Sequence, residues 1–345
     1  MRKILVKANL GNLNGLSFHR LIVPYAKVSD MENFKVDVFQ DLNILNDEQL
    51  KEYHAVVYQR EIDINGNSLE IINRYKRLGL KVIFDIDDYW HLPSSHYLYK
   101  AYKAYHIPQQ TEIILNQVDV ITTTTKHLAN KIKTHNSNVH VIPNCLDIED
   151  KQWKPNKTKS ELTRFGYVAG VYHMEDVRLL EMPIRKVFRN NIKASFTLGG
   201  WTDNDHYKEY ERILSFDNKL PYKRVEALPV YEYGNAYNDT DVSLVPLVEN
   251  QFSECKSEIK LIEAAAHGNP AIVSDVKPYN IFPKDTAIFC NNSDVNKWYK
   301  VIKQMAESSA MREDYALKLK EYVNENYNLK KWTQLRKDLL ASVLA

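Results

Sequence analysis

Short apolar runs alternate with helical patterns along this chain, and the alternation stops once and starts again. That predicts an α/β protein with two parallel-sheet domains. Three observations carry the prediction. Strand-like runs such as KILVKA, FKVDVF, AVVYQ and VIF precede residue 150, and RFGYVAG, ASFTLGG, DVSLVPL and AIVSD follow residue 160. The stretch between them, IEDKQWKPNKTKSE (residues 148–161), is polar, rich in lysine and without apolar periodicity, as a domain boundary is. Glycines stand directly after the first strand of each half, where a turn lets a ligand approach the backbone. The boundaries that follow are 1–150 for the first domain and 160–326 for the second, with 327–345 as a terminal helix.

In chain order, KILVKA (residues 3–8) is the first strand. NLGNLNG follows with Gly11 and Gly15, then the helical SFHRLIVPYAKV, in which His19 and Arg20 stand near the helix start. The glycine spacing is not GxGxxG, so no dinucleotide fingerprint is present. His19 and Arg20 also read as two surface residues. FKVDVF and AVVYQ are further strands, and a helical pattern from Asn67 to Leu78 ends at Gly79. KVIFDIDDYWHLP then gives a buried strand with Asp85, Asp87 and Asp88 at its C-terminal end. Three carboxylates there suit a hard cation, but nothing nearby completes an octahedral shell, so no metal is expected. Capping and pairing with basic neighbours is one reading of them, and an acceptor-contacting or base role for Asp87 is the other. YLYKAYKAY (residues 97–105) has tyrosines at helical spacing and predicts core or cleft packing. VDVITTTTKHLANKI predicts a strand and a threonine-capped helix, and NVHVIPNCLD the last strand of this half.

In the second half RFGYVAG runs into GVYH, with Gly170 and His173 at the turn, and HMEDVRLLEMPIRKVFRN reads as one helix. ASFTLGG, VEALP and DVSLVPL are strands, and YEYGNAYNDTD leads into the last of these. NQFSECKSEIKLIEAAAHGNPAIVSD (residues 250–275) reads as loop, helix, Gly-Pro break and strand, with Ser257 as N-cap. Its helix is apolar except for Lys256, Lys260, Glu263 and His267, which fall at i, i+4, i+7 and i+11 and so share one side. Such a stripe faces solvent or a ligand. The two lysines beside a helix N-terminus suit a phosphate, the alternative being a solvated Lys–Glu pair. Residues 292–345 are helical in pattern.

Composition bounds the function classes. The chain has 345 residues, 44% hydrophobic and 26% charged, as two soluble cores require. A net charge of +2 provides no global field for nucleic acid or anionic membrane. Cys145, Cys255 and Cys290 are far apart in sequence, which suggests neither a disulfide framework nor a zinc knuckle. The first apolar run is too short for a signal peptide, and no stretch approaches about 20 apolar residues. A cytoplasmic, reducing location is expected, with peripheral membrane contact left open.

Taken in order, several stretches resemble the GT-B glycosyltransferases of the large retaining group that carries a glutamate-rich donor motif. SFHRLIVP is similar to the Y-R-x-x-x-P of one subset, and FDIDDYWHLP to its D-x-D-D-x-x-x-x-x-P. VDVITTTTKHLA, HVIPNCLD, RFGYVAGVYHMED and KSEIKLIEAAAHGNPAIVS have counterparts in the same order. The resemblance implies two Rossmann-like domains facing across a cleft, with the helix from Tyr327 crossing back to the N-terminal domain. It implies a nucleotide-sugar donor, a UDP- or GDP-sugar, held mainly by the C-terminal domain, and no separate cofactor. Glu263 matches the second glutamate of E-x7-E, which contacts the donor ribose, while Cys255 stands at the first. Lys256 and Lys260, with Ser257 between them, are similar to K-S-x-x-K and would hold the donor diphosphate. Arg20 and the Gly11–Gly15 loop would approach the diphosphate or acceptor, and His173 and Asp176 match H-x-x-D lining the cleft. Asp87 or His19 would assist the acceptor hydroxyl. The acceptor is a glycan, a protein or a modified nucleic acid. An epimerase or phosphorylase of the same fold, or a binding protein that has lost catalysis, are the competing readings.

Overall fold

The computed structural model describes residues 1–63 and 65–345. Among these residues twelve strands form two six-stranded sheets, and every strand pairing is parallel. The chain divides into two compact units: Met1–Cys145 with Glu254–Ser257 and Tyr327–Ala345, and Leu146–Ser253 with Glu258–Asn326.

The first unit holds β1 (Arg2–Lys7), β2 (Phe34–Phe39), β3 (Ala55–Gln59), β4 (Lys81–Ile86), β5 (Val120–Thr123) and β6 (Val139–Val141), in the spatial order 2-1-3-4-5-6. The central strands β3 and β4 are apolar on both faces because helices cover both sides of the sheet. One face packs Leu5, Val56, Val82, Phe84 and Ile121 against the Ser68–Arg77 and Ile107–Gln117 helices. The other packs Ile4, Val6, Val57, Ile83 and Val120 against Leu21, Tyr25, Val28 and Leu340. Leu340 lies on the terminal Leu329–Val343 helix, which therefore completes this core. Thr125 caps the Lys126–Ile132 helix by accepting from Leu128 N–H at 3.2 Å. The helical pattern after β1 is locally underwound: Phe18–Ile22 is a π turn between Gly15–Ser17 and Val23–Ser29.

The second unit holds β7 (Thr163–Val168), β8 (Ala194–Trp201), β9 (Tyr222–Glu226), β10 (Val242–Val245), β11 (Ala271–Ser274) and β12 (Ile288–Cys290), in the order 12-11-10-7-8-9. Phe165, Phe196, Leu244, Ile272, Trp298 and Ile302 are at its core. Gly166 is required by packing: a Cβ there would lie 2.0 Å from Thr240 Oγ1.

Several expectations are corrected. The Tyr97–Tyr105 stretch is not core: Tyr97 is 62% and Tyr105 57% exposed, and the Tyr99–Ala104 helix buries no residue. The polar stretch 148–161 is not a plain linker, since Gln152 and Trp153 are buried within the second unit. The single helix expected after residue 173 is two, Met174–Arg178 and Glu181–Arg189. Strand β9 begins three residues earlier than VEALP, and β12 had no counterpart in the pattern.

Candidate functional site

The order 12-11-10-7-8-9 has a direct consequence for ligand placement. From β7 the chain proceeds through β8 and β9 to one side, while β10, β11 and β12 build the other. The strands β7 and β10 thus flank a topological switch point, where open α/β sheets leave a crevice at the C-terminal strand ends.

The turn after β7 forms one lip. Gly170 has no left-handed φ, and a Cβ added there would meet nothing within 4 Å. Glycine at this position therefore keeps space open rather than relieving strain. The turn is fixed from behind by two tyrosines of the Asp205–Ser215 helix. Tyr207 O–H donates to Ala169 O at 3.1 Å, and Tyr210 O–H to Val171 O at 2.6 Å. His173 N–H donates back to Tyr210 Oη at 2.8 Å. The His173 ring places Nδ1 2.8 Å from Asp176 Oδ2, and Asp176 Oδ1 accepts Val248 N–H at 2.7 Å. Asp176, 5% exposed, thereby ties the turn after β7 to the segment after β10 and fixes the imidazole through its Nδ1.

The other lip carries Lys260 and Glu263 on the Ile259–Ala266 helix. Lys260 Nζ donates to Glu263 Oε2 at 2.8 Å and to Tyr233 Oη at 2.7 Å; Tyr237 O–H donates to the same Glu263 oxygen at 2.6 Å. The third ammonium N–H has no partner among the described residues, and the side chain is 22% exposed. Burial alone would lower the Lys260 ammonium, but the Glu263 carboxylate and the Tyr233 phenol outweigh it and hold its pKa raised. Burial, reinforced by Glu263, pushes the Tyr233 phenol up to about 12. Tyr207 joins the lips. Besides holding Ala169, its phenol lies in the fields of Tyr233 and Lys260, and with burial as the main cause its pKa rises to about 12.

The expected stripe is accordingly corrected. Lys256 precedes the helix rather than lying on it, and Ser257 is not its N-cap, since Glu258 occupies that position without a side-chain cap. Ser257 Oγ instead accepts from Asn144 Nδ2 at 2.7 Å within the first unit. Glu263 and His267, 3% and 1% exposed, do not face open water. His267 Nε2 lies 3.1 Å from Gln152 O, an acceptor, so this nitrogen carries the hydrogen. The ring stacks on Tyr237 with centroids 5.4 Å apart and touches Trp153 edge-on at 5.7 Å. Burial first, then the Lys157 charge, lowers its pKa to about 4.

In the first unit Arg20, Asp87 and Lys256 lie in ion pairs. Arg20, 1% exposed, donates from Nε to Asp85 Oδ1 at 3.0 Å and from Nη2 to Asp85 Oδ2 at 2.5 Å, and from Nη1 to Ile142 O at 2.6 Å. Thr122 O–H completes the Asp85 carboxylate at 2.6 Å. Burial would raise Asp85, but Arg20 reverses that and lowers it. As placed, Arg20 clamps the π turn to β4 and to the end of β6, and it does not reach an open surface as an anion ligand would. Arg60 grips Asp87 with two hydrogen bonds of 2.7 and 2.9 Å and Asp88 with a third of 2.6 Å. Burial raises the Asp87 carboxyl against that grip. Lys256 Nζ lies 3.8 Å from Asp88 Oδ1. The first-half glycines serve a local turn: Gly11 N–H donates to Asn9 Oδ1 at 2.9 Å, and Gly15 opens the short helix capped by Asn14. His19 is half-buried, its ring edge-on to Phe18. Cys255 is fully buried in the first unit's core, and the neighbouring Glu254 pairs with His127 at 3.2 Å.

Sequence reasoning missed Tyr233 and Tyr237, which shape the Lys260–Glu263 pair. Their signal was the i, i+4 spacing inside YEYGNAYND. It also missed Gln152 and Trp153, concealed in a stretch whose composition reads as linker.

Residues 163–308 match the family model described as Glycosyl transferases group 1.

That segment contains the whole switch-point cluster. No curated protein matches this sequence. Among solved structures the chain is similar to a sucrose-phosphate synthase from Thermosynechococcus elongatus, at 14% identity and a TM-score of 0.72, covering 99% of this chain and 100% of that one. It is similar to Anabaena HepE in complex with UDP-glucose, at 11% identity and a TM-score of 0.67, over 99% and 100% of the two chains. A third is an alpha-glucosyltransferase in complex with UDP and a 13-mer DNA containing an HMU base, at 11% identity and a TM-score of 0.64, over 100% and 99%. The likeness bears out the expected GT-B type of fold. No helix among the described residues is long and apolar enough to cross a membrane.

Proposed function

We propose that this protein is a glycosyltransferase that moves a sugar from a UDP- or GDP-sugar to an acceptor hydroxyl, with retention of configuration and without a metal. One observation carries the reading. Within the segment matching group 1 glycosyltransferases, a lysine ammonium with an N–H to spare stands over a buried carboxylate beside the sheet's switch point. Transfer breaks the bond between the anomeric carbon and the diphosphate oxygen, and it forms one to the acceptor oxygen. Negative charge grows on the departing diphosphate, and a preorganised cation stabilises it. Lys260 supplies that charge. Glu263, aligned by Tyr237, takes the ribose hydroxyls. Gly170 leaves room for the donor at the turn, and His173, braced by Asp176, offers its other nitrogen to a substrate oxygen. The similar structures that contain UDP or UDP-glucose favour a uridine donor, and the one with DNA keeps modified nucleic acid among the acceptors alongside glycan and protein.

A second reading has its own observation. Cys255, at the position of the expected first glutamate, lies inside a core, so no carboxylate meets the donor from there. A nucleotide-sugar binding protein without turnover fits that.

Thermal denaturation against UDP-, GDP-, ADP- and CDP-sugars, with and without EDTA, tests the proposal. A ligand at about 100 times its Kd stabilises by about 2.7 kcal/mol, a shift of several degrees. A shift with UDP- or GDP-sugars that survives EDTA is expected, and no shift with any donor would refute it. Release of nucleoside diphosphate on adding acceptor separates enzyme from binder, and the anomeric proton of the product reports retention.

A further inference from the structure

The second unit has a cavity of about 640 Å³ at the opposite edge of its sheet, by the N-terminal ends of β7, β10 and β11. The donor cluster does not use it. Its walls include Lys157, Lys159, Arg164, Asp241, Arg312 and Glu313. Only Arg164 and Asp241 of these form an ion pair with each other among the described residues. Arg164 forms a bidentate pair with Asp241 at 3.0 and 2.7 Å, and Arg312 donates to the carbonyls of Met305 and Ala306 at the end of the Val295–Glu307 helix. Lys157 differs. Its half-buried amine donates to the neutral Asn269 Oδ1 and forms no ion pair among the described residues. Asn269 is fully buried, so the amine is anchored from below while the cavity gives access from above.

We propose that Lys157 is an acylation site, its side-chain amine accepting the acyl group of a small acyl phosphate that enters this cavity. The nitrogen lone pair adds to the carbonyl carbon and the C–N bond forms. The bond from that carbon to the phosphate oxygen breaks, and phosphate leaves with the electron pair. The surplus proton on nitrogen passes to the phosphate or to water, and no oxidant or reductant is needed. Lys159 and Arg312 supply positive charge on the cavity wall for the departing phosphate. The amine is suited to attack: burial, aided by the Arg164 charge and opposed by Asp241, brings it down to about 8. Near neutral pH a larger share of it is then unprotonated than of an ordinary lysine.

The full chain is treated with acetyl phosphate at pH 7.5, and acetyl-lysines are mapped by mass spectrometry over time. Lys157 is expected to be modified at least about tenfold faster than the exposed Lys151 and Lys154, the order its neutral fraction supports. Equal or slower labelling of Lys157 would overturn the proposal. An N-hydroxysuccinimide acetate arm isolates the donor class. Weaker preference for Lys157 with this phosphate-free ester supports it; the same preference with both reagents would overturn the part assigned to Lys159 and Arg312. Lys159→Ala should slow labelling of Lys157 by acetyl phosphate alone, and Lys157→Arg should abolish that label while leaving the melting temperature in place.

Discussion

Arg20 and His267 show what a residue's type tells and what only its surroundings tell. Arg20 after a glycine loop reads as an anion ligand, yet it closes on Asp85 in a pair that is 1% and 0% exposed. Nothing in HRLIVP marks that burial, because the partner lies 65 residues away on β4. Removing one member of a buried pair leaves the other charge uncompensated, at a cost of about 3–5 kcal/mol. Arg20→Ala should therefore lower the unfolding free energy of the first unit in urea by that order, and an unchanged value would remove the clamp from the account. His267 yields a pH prediction. Its folded pKa, about 4, lies below the unfolded value of about 6.5, so between these pH values the unfolded chain binds more protons. This histidine's contribution is complete above pH 6.5 and is lost as pH falls toward 4, by about 3 kcal/mol at most. The urea midpoint should fall less between pH 7 and pH 5 in His267→Phe than in the parent protein; an identical fall would show that the imidazole does not titrate as described.

At the scale of elements, pattern located most strands and misplaced their ends. The runs FKVDVF and AVVYQ are β2 and β3 residue for residue: AVVYQ is apolar as a buried central strand is, and FKVDVF alternates apolar and charged residues as a half-exposed edge strand does. The three-residue β12 escaped because so short a run has no period of its own. The helix with Lys260 was expected to begin at Ser257; it begins at Ile259 because residues 254–257 are drawn into the first unit, with Cys255 in a core and Ser257 bonded to Asn144. Periodicity reports an apolar face but not the partner that claims it. The approach of β7 to Thr240 is equally invisible in sequence and is testable. Gly166→Ala places a methyl against the Thr240 side chain and should cost about 1–3 kcal/mol. Adding Thr240→Ala should recover most of that loss, and additive losses in the double variant would show that the two positions do not touch.

Across the whole molecule, the two sheets were legible because strand–helix alternation restarts after residue 160, and the structure contains one six-stranded parallel sheet in each unit. The placement of the candidate residues was legible in part. Lys260, Glu263, Gly170, His173 and Asp176 all lie around one switch point, as neighbours in sequence motifs can when strand order brings β7 beside β10. That Tyr233 would bond Lys260 and Tyr237 would bond Glu263 was not legible, since a phenol's partner is decided by how the Tyr233–Asp239 turn packs. The central claim is that Lys260 neutralises the diphosphate of a nucleotide-sugar donor. Calorimetric titration of UDP-glucose and GDP-mannose into the parent protein and Lys260→Ala tests it most directly. Loss of one preorganised cation is worth about 2.7–4 kcal/mol. Affinity, turnover or both should fall by about 100-fold or more, measured at a temperature where Lys260→Ala is fully folded, because the variant leaves the buried Glu263 without its cation and melts lower. Undiminished affinity and turnover in Lys260→Ala would contradict the assignment.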